Sequence, residues 1–492
     1  MSLKRTIIHI IAIALIFITT SCNSESPRLI ILHSNDTHSN IDPDKETGTG
    51  GALRRKVLID SVRSSDPNVL LVDAGDVVQG SLYYTFFKGE VETMIMNNLG
   101  YEVAILGNHE FDNGITLLAN QYRNLKAEKI STNYDMKNTP LDSLFVPYTI
   151  KEYAGKRIGI IAINIDPVGL ISPHKCEGVN YLDQISIANQ SASDLKNKHN
   201  ADYIIALTHI GYQGDSILAR NSHDIDIIIG GHSHTVIDPQ ISDQSTFNIS
   251  NLDGEKVLVA QTGVNGHYLG EIYLDLNTGE RASRLIPVTD RLDREIDTDL
   301  AEKLLPYKHV VDSFMSIEAT HSAIKLNRSG EPIINFVSDF IHERGSQLTK
   351  QKIDIAMMNR GGIRNSLPQG MISKGDLMMT FPFDNYITVI EIKGEDIIEA
   401  LSIIAGTNKL SISSKSTLDF SPEKTYRLAT IDYIAGGGDG MTPLTRGTII
   451  AKSEHDLKDD LIEYFNSPEN KDIIINPDTL NRVLPITNLY ND

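Results

Sequence analysis

Asp36, His38, Asp76, Asn108, His209, His232 and His234 are carboxylates, imidazoles and an amide, the side chains that hold divalent cations. Each falls at or just past the end of a short apolar run. RLIILHSNDTH stops at Asp36 and His38, and VLLVDAGD at Asp76. EVAILGNHEFD stops at Asn108, His109 and Asp112, YIIALTH at His209, and DIDIIIGGHSH at His232 and His234. In an open α/β sheet, ligands bind beyond the carboxyl ends of the strands. Five endings with one vocabulary predict a single site assembled from across a sheet. That site reads as a binuclear metal centre, and paired cations serve hydrolysis of a phosphate ester.

Taken singly, the motifs differ in weight. An Asp-x-His such as Asp36 and His38 also describes a turn aspartate beside a surface histidine. Asp76 lies between Gly75 and Gly80, which allow tight turns and close approach to an ion. Its two oxygens could serve one cation each, whereas Asp73 reads as structural. The run GNHEFD is the most specific: the Asn108 carbonyl suits a hard or borderline ion without adding charge. His109 is then free for chemistry, with Asp112 fixing its tautomer. His232 and His234 flank one small residue behind two glycines. The ligand set does not choose among zinc, manganese, iron, nickel and cobalt. The remaining histidines, including His33 and His267, default to structural or surface roles.

Positioning these residues requires a layered scaffold. From Arg28 to about Asp290, short β runs alternate with helical segments such as GALRRKVLIDSVRSS and EVETMIMNNLG, the pattern of an α/β domain. DTDLAEKLLPYKHVVDSFMSIEA then repeats apolar residues at helical spacing. It reads as a connector over 297–319 that Pro306 should kink or divide. A peripheral helix of the first domain fits the same periodicity. A second α/β pattern fills 320–492: EPIINFVSDFIHERG reads as a helix, IDIAMMN as a strand, and ITVIEIKG with EDIIEALSIIAG as strand, turn and helix. TYRLATIDYIAGGGDG reads as a strand and glycine loop, and HDLKDDLIEYFNS as a closing helix.

With 492 residues, two or more domains are expected. A formal charge of -19 argues against a nucleic-acid polymer or anionic membrane as partner, since both favour a basic face. Residues 1–22 stand apart: Lys4 and Arg5 precede an apolar run from Ile7 to Ile18, too short for a comfortable membrane span. Cys22 sits where a lipoprotein signal places its acylated cysteine, although Thr19 departs from the usual aliphatic residue. The expectation is export with a lipid at Cys22, facing the periplasm or cell surface, and a polar tether from Asn23 to Pro27. Cys176 would then be the only other thiol, with no intrachain disulfide.

NDTH, GDVVQG, GNHEFD, THIG and GHSH, in that order, resemble the 5′-nucleotidase family within the calcineurin-like metallophosphoesterases. The resemblance continues through the second domain. It implies an N-terminal metallophosphoesterase β-sandwich flanked by helices over 28–290, a connector helix, and a smaller α/β C-terminal nucleotide-recognition domain. It further implies two divalent ions, one held by Asp36, His38, Asp76 and His234, the other by Asp76, Asn108, His209 and His232. His109 and Asp112 would be catalytic. Asn359 and Arg364 match polar substrate contacts, Phe383 and Tyr433 the aromatics that sandwich the base, and Asp439 the residue that bonds the ribose hydroxyls. Arg328 lies in NRSGEPIIN, which departs from the family pattern.

The resemblance thus implies an exported 5′-nucleotidase that hydrolyses nucleoside monophosphates with a dimetal-activated water. Alternatives within the family act on UDP-sugars, dinucleotides or 2′,3′-cyclic nucleotides with the same metals and base clamp. A lipoprotein that binds nucleotides without turnover would be favoured by loss of His109 or Asp76, and both are present.

Overall fold

The computed structural model describes residues 27–484 apart from 46 and 408, together with residue 486. The expected leader over 1–22, with Cys22, lies outside the described residues. Among those described, no helix is long and apolar enough to cross a membrane.

Two six-stranded sheets build the first domain. In the first, neighbours run Arg281–Pro287, Tyr268–Asp275, Arg28–Ser34, Val69–Asp73, Val103–Ala104 and Glu128–Lys129. The second runs Asn248–Ser250, Lys256–Ala260, Ile227–Ile229, Tyr203–His209, Lys156–Asn164 and Tyr148–Tyr153. Central strands pair in parallel, and antiparallel strands flank them.

Alternation within one strand explains both faces. Leu29 and Ile31 join the core between the sheets, with Ile160, Ile205 and Ile228. Ile30 and Leu32 point the other way, into a core that includes Ile59 and Ile95 from two helices. Strands buried on both faces read as continuous apolar runs, which is why these were legible in sequence. The sandwich that the resemblance implied is present, and the site-bearing strands divide between its layers: Arg28–Ser34, Val69–Asp73 and Val103–Ala104 lie in one sheet, Tyr203–His209 and Ile227–Ile229 in the other. The site is gathered from both layers of a sandwich.

His33 continues the Leu29–Ile31 face and is 1% exposed. A Cβ on Gly270 would lie 2.1 Å from its Nε2, so a glycine is what admits the ring. Burial lowers the His33 pKa to about 3. Its neutral form therefore contributes stability above the ordinary 6.5 that is lost as pH falls toward 3. In His33→Gln, which does not titrate, the fall in urea midpoint between about pH 7 and about pH 5 should be shallower than in the wild type. An identical fall would remove His33 from the acid response.

The connector forms one helix, Thr298–Met315, capped by the Asp297 carboxylate on the Asp299 and Leu300 N–H groups. Of the two expected outcomes at Pro306, a kink or a division, the helix is not divided. The missing proline donor costs one backbone bond. Burial of Leu300, Leu304 and Val311 in the outer core of the first domain holds turns on both sides.

In the second domain a five-stranded sheet runs Leu410–Ile412, Ile355–Asn359, Thr425–Ile431, Tyr386–Lys393 and Thr448–Asp456. The helix Glu331–Thr349 packs Ile333, Val337 and Ile341 into its core. The helix Leu457–Asn466 does not close the chain: Ile474–Ile475 follows and pairs in parallel with Glu318–Ser322. The domains meet at Gly375, where a Cβ would lie 2.3 Å from Met315 Sδ and 3.1 Å from Leu82 Cδ1. Glycine lets the helix Lys374–Thr380 settle against the connector.

Candidate active site

Beyond the parallel strands, the loops bring Asp36, His38 and His234 together, and likewise Asp76, His209 and His232. Within each group the potential ligand atoms lie within 4.8 Å of one another. Asp36 and His209 are fully buried, and Asp76 and His38 are 2% exposed. Asn108 joins the second group through Oδ1, 2.8 Å from His232 Nδ1.

Five of these residues have positive φ: Asp36 (49°), His38 (46°), Asp76 (55°), His232 (76°) and His234 (55°). Left-handed backbone is uncommon outside glycine and costs on the order of 1 kcal/mol or more per residue. Its concentration here means the surrounding structure holds these loops in one shape. Tight approach has a similar cause, since a Cβ on Gly107 would lie 2.2 Å from Asp76 Oδ1.

Backbone carbonyls set the tautomers. His209 Nδ1 lies 2.7 Å from Ala74 O, and His38 Nδ1 3.4 Å from Val78 O. Each carbonyl accepts, so Nδ1 carries the proton and Nε2 is presented to the site. His209 Nε2 is buried without a hydrogen bond and stands 3.1 Å from Asp76 Oδ2. His38 Nε2 and His234 Nε2 face each other at 3.1 Å. Asp36 Oδ1 lies 3.4 Å from His234, 3.8 Å from His38 and 3.9 Å from His209. The last two separations exceed hydrogen bonds and suit groups that share an ion.

Electrostatics point the same way. Burial opposes charge on both partners, yet Asp76 drives His209 up to about 10 while His209 holds Asp76 well below the carboxylate range. The fold demands positive charge between them. Burial lowers His232 to about 4 and His38 well below 6.5, which leaves neutral imidazoles, the metal-ligating form. Buried lone pairs, an unpartnered Nε2 and anionic carboxylates fit divalent cations.

His109 stands at the rim. Its Nδ1 lies 2.9 Å from Asp112 Oδ2, and its backbone N–H donates to Asp76 Oδ1 at 2.8 Å. Burial works against protonation, but Asp112 and Asp76 outweigh it and raise the pKa. Proximity also groups His109 with His38 and Asp76 as potential ligands; its Nδ1 is engaged by Asp112, which leaves Nε2 to face the site.

The second domain reaches this rim. Phe383 stacks on His109 with centroids 5.8 Å apart and planes at 25°, and the Arg364 guanidinium lies 5.8 Å from the Phe383 ring. The Arg364 charge acts on both His38 and His109. Asn359, Tyr433 and Asp439 form a separate hydrogen-bonded group: Asn359 Nδ2 donates to Asp439 Oδ2 at 2.7 Å, and the Asp439 N–H to Tyr433 Oη at 3.3 Å. Asp439 also has positive φ, 54°. Arg360 is taken by Glu331 at 2.9 Å.

Two supporting residues escaped the sequence reading. Glu110, between His109 and Asp112, accepts the N–H groups of Gly107, Asp76 and Val77 at 2.6, 3.1 and 2.9 Å. It ties the Asp76 and Asn108 loops together. Asn35 donates to Asp36 Oδ2 at 2.6 Å and accepts from the Thr262 N–H at 2.9 Å. Both lie inside quoted motifs, but nothing in sequence shows which backbone groups they meet.

Residues 29–236 match the calcineurin-like phosphoesterase family, and residues 316–421 the C-terminal domain of 5′-nucleotidases. The chain is 27% identical over 480 residues to the 5′-nucleotidase of Vibrio cholerae, covering 85% of this chain and 86% of that protein. It is 26% identical over 496 residues to the trifunctional nucleotide phosphoesterase of Bacillus subtilis, covering 85% of this chain but only 32% of that longer protein. Among solved structures, a 5′-nucleotidase precursor from Thermus thermophilus superposes with a TM-score of 0.82 at 26% identity, covering 92% and 98% of the two chains. With both domain types matched in order and the fold shared throughout, the chain belongs to the 5′-nucleotidase family of metallophosphoesterases.

Proposed function

We propose that the protein is an exported 5′-nucleotidase that hydrolyses nucleoside monophosphates to nucleoside and phosphate. The observation that carries this reading is the convergence of potential ligand atoms from five loops beside His109, whose Nδ1 pairs with Asp112. Asp36, His38, Asp76 and His234 would hold one divalent ion, and Asp76, Asn108, His209 and His232 the other. When bound, such a pair lowers the pKa of water and neutralises phosphoryl oxygens.

The chain's own residues do the rest. Asp112 keeps the His109 proton on Nδ1, so a protonated ring presents Nε2–H to the phosphoryl group or leaving oxygen. Arg364 adds a planar cationic fork near the same rim. Asn359, Tyr433 and Asp439 offer a ring face and hydrogen-bonding groups for the nucleoside, with Phe383 as the second aromatic. Substrate therefore bridges two domains, and we infer rotation of the second about the connector. Cross-linking the domains open should abolish nucleotide turnover and spare metal binding; unchanged turnover would contradict it.

Phosphate release from a panel of AMP, ADP, UDP-glucose and 2′,3′-cyclic AMP tests the substrate. The proposal predicts the highest kcat/KM for the monophosphate, and a higher value for any other would replace it. In Asp439→Ala, KM for the monophosphate should rise about tenfold or more, roughly the scale of a lost polar contact, with metal content unchanged. Export by a lipid at Cys22 predicts that Cys22→Ser moves the protein from the membrane fraction to the soluble one. An unchanged distribution would exclude the anchor.

A further inference from the structure

Behind the Asp36 and Asp76 loops lies a small cavity lined by Thr37, Arg55, Asp73, Val77, Glu92 and Tyr101, among others. Thr37 separates Asp36 from His38, and Val77 follows Asp76, so its roof is the back of the loops that carry the proposed ligands. Glu92 enters from the helix Glu90–Leu99, whose other buried residues are Val91, Ile95, Met96 and Leu99. A glutamate on that apolar face, 2% exposed, needs partners.

The Ser39 hydroxyl lies toward it, yet both Glu92 carboxyl oxygens are buried without a well-formed hydrogen bond. Arg55 Nε, on the wall of the same cavity, is also buried without a hydrogen bond. Asp73, by contrast, is satisfied by the Ser34 hydroxyl at 2.6 Å and the Gly75 N–H at 2.9 Å. A buried carboxyl group and an unpartnered guanidinium N–H on the wall of one void indicate an occupant that donates to the first and accepts from the second. The cavity offers about 10 Å³, close to the roughly 10–15 Å³ that one water requires.

We infer that a single buried water fills this cavity and that Glu92, acting through it, is a positioning residue for loops 36–39 and 76–79. A water can donate to the Glu92 carboxyl group and accept from Arg55 Nε–H. Those loops hold left-handed residues under strain, and a hydrogen-bonded floor resists their relaxation. The inference rests on the ligand assignment proposed above.

The test uses the full mature protein, stripped of metal and titrated with Mn²⁺ by calorimetry. Wild-type protein should bind Mn²⁺, and Glu92→Leu should bind it roughly 10- to 100-fold more weakly, as other outer supports of metal ligands do when removed. Its kcat for a nucleoside monophosphate should fall while KM stays within twofold. Glu92→Gln, which keeps the hydrogen-bonding capacity, should restore Mn²⁺ affinity to within about threefold of wild type. A folded Glu92→Leu protein with native affinity, or a Gln variant as weak as Leu, would overturn the positioning role. Electron density of the wild-type protein at high resolution should show one water between Glu92 and Arg55, whether or not Glu92→Leu folds; an empty cavity would overturn the inference. Wild-type protein that binds no Mn²⁺ would overturn the ligand assignment and this inference with it.

Discussion

Replacing Asp76 by asparagine should cut phosphate release by at least about 10³-fold, the scale on which preorganised electrostatic stabilisation is lost, and reduce bound metal to at most one ion per chain. Asparagine is the informative substitution because it isolates charge. It keeps the side-chain size and tolerates the 55° φ at this position, and its carbonyl can still accept the His109 N–H now bound at 2.8 Å. What disappears is the second anionic oxygen beside His209. Metal analysis and turnover of the same preparation check the expectation. A variant that retains two ions and near-native turnover would show that Asp76 is not shared between them.

His109→Ala should lower kcat by roughly 10²- to 10⁴-fold, the range for loss of a positioned acid, and leave metal content intact. The two variants therefore separate cation binding from proton delivery. The reasoning depends on the Asp112 hydrogen bond at 2.9 Å, which engages the ring nitrogen away from the cluster. Asp112→Asn should produce a smaller loss, because the ring survives without its ionic support. Loss of one ion in His109→Ala would instead assign His109 as a ligand, an arrangement its distance to His38 and Asp76 also permits.

Much of this site was readable in sequence for a specific reason. Strands such as Arg28–Ser34 and Tyr203–His209 are buried on both faces, so their ends were visible as the points where apolar runs stop. The ligand-type residues stand at those points. The apolar runs alone could not show that the strands belong to two sheets, because pairing is non-local and both sheets use the same apolar alphabet; the motif resemblance supplied the sandwich. Nor could sequence show that Glu110 spends its carboxylate on three backbone N–H groups. The contact of Phe383 with His109 joins residues 274 positions apart across a domain seam. Pro306 shows the converse: the helix runs on undivided past a residue that removes a backbone donor, with Leu300, Leu304 and Val311 buried on either side of it.

Anomalous diffraction from a Mn²⁺-loaded crystal should give two peaks per chain, one within coordination distance of Asp36, His38 and His234, the other of Asn108, His209 and His232, with Asp76 touching both. A single peak, or peaks away from these side chains, would contradict the dimetal assignment.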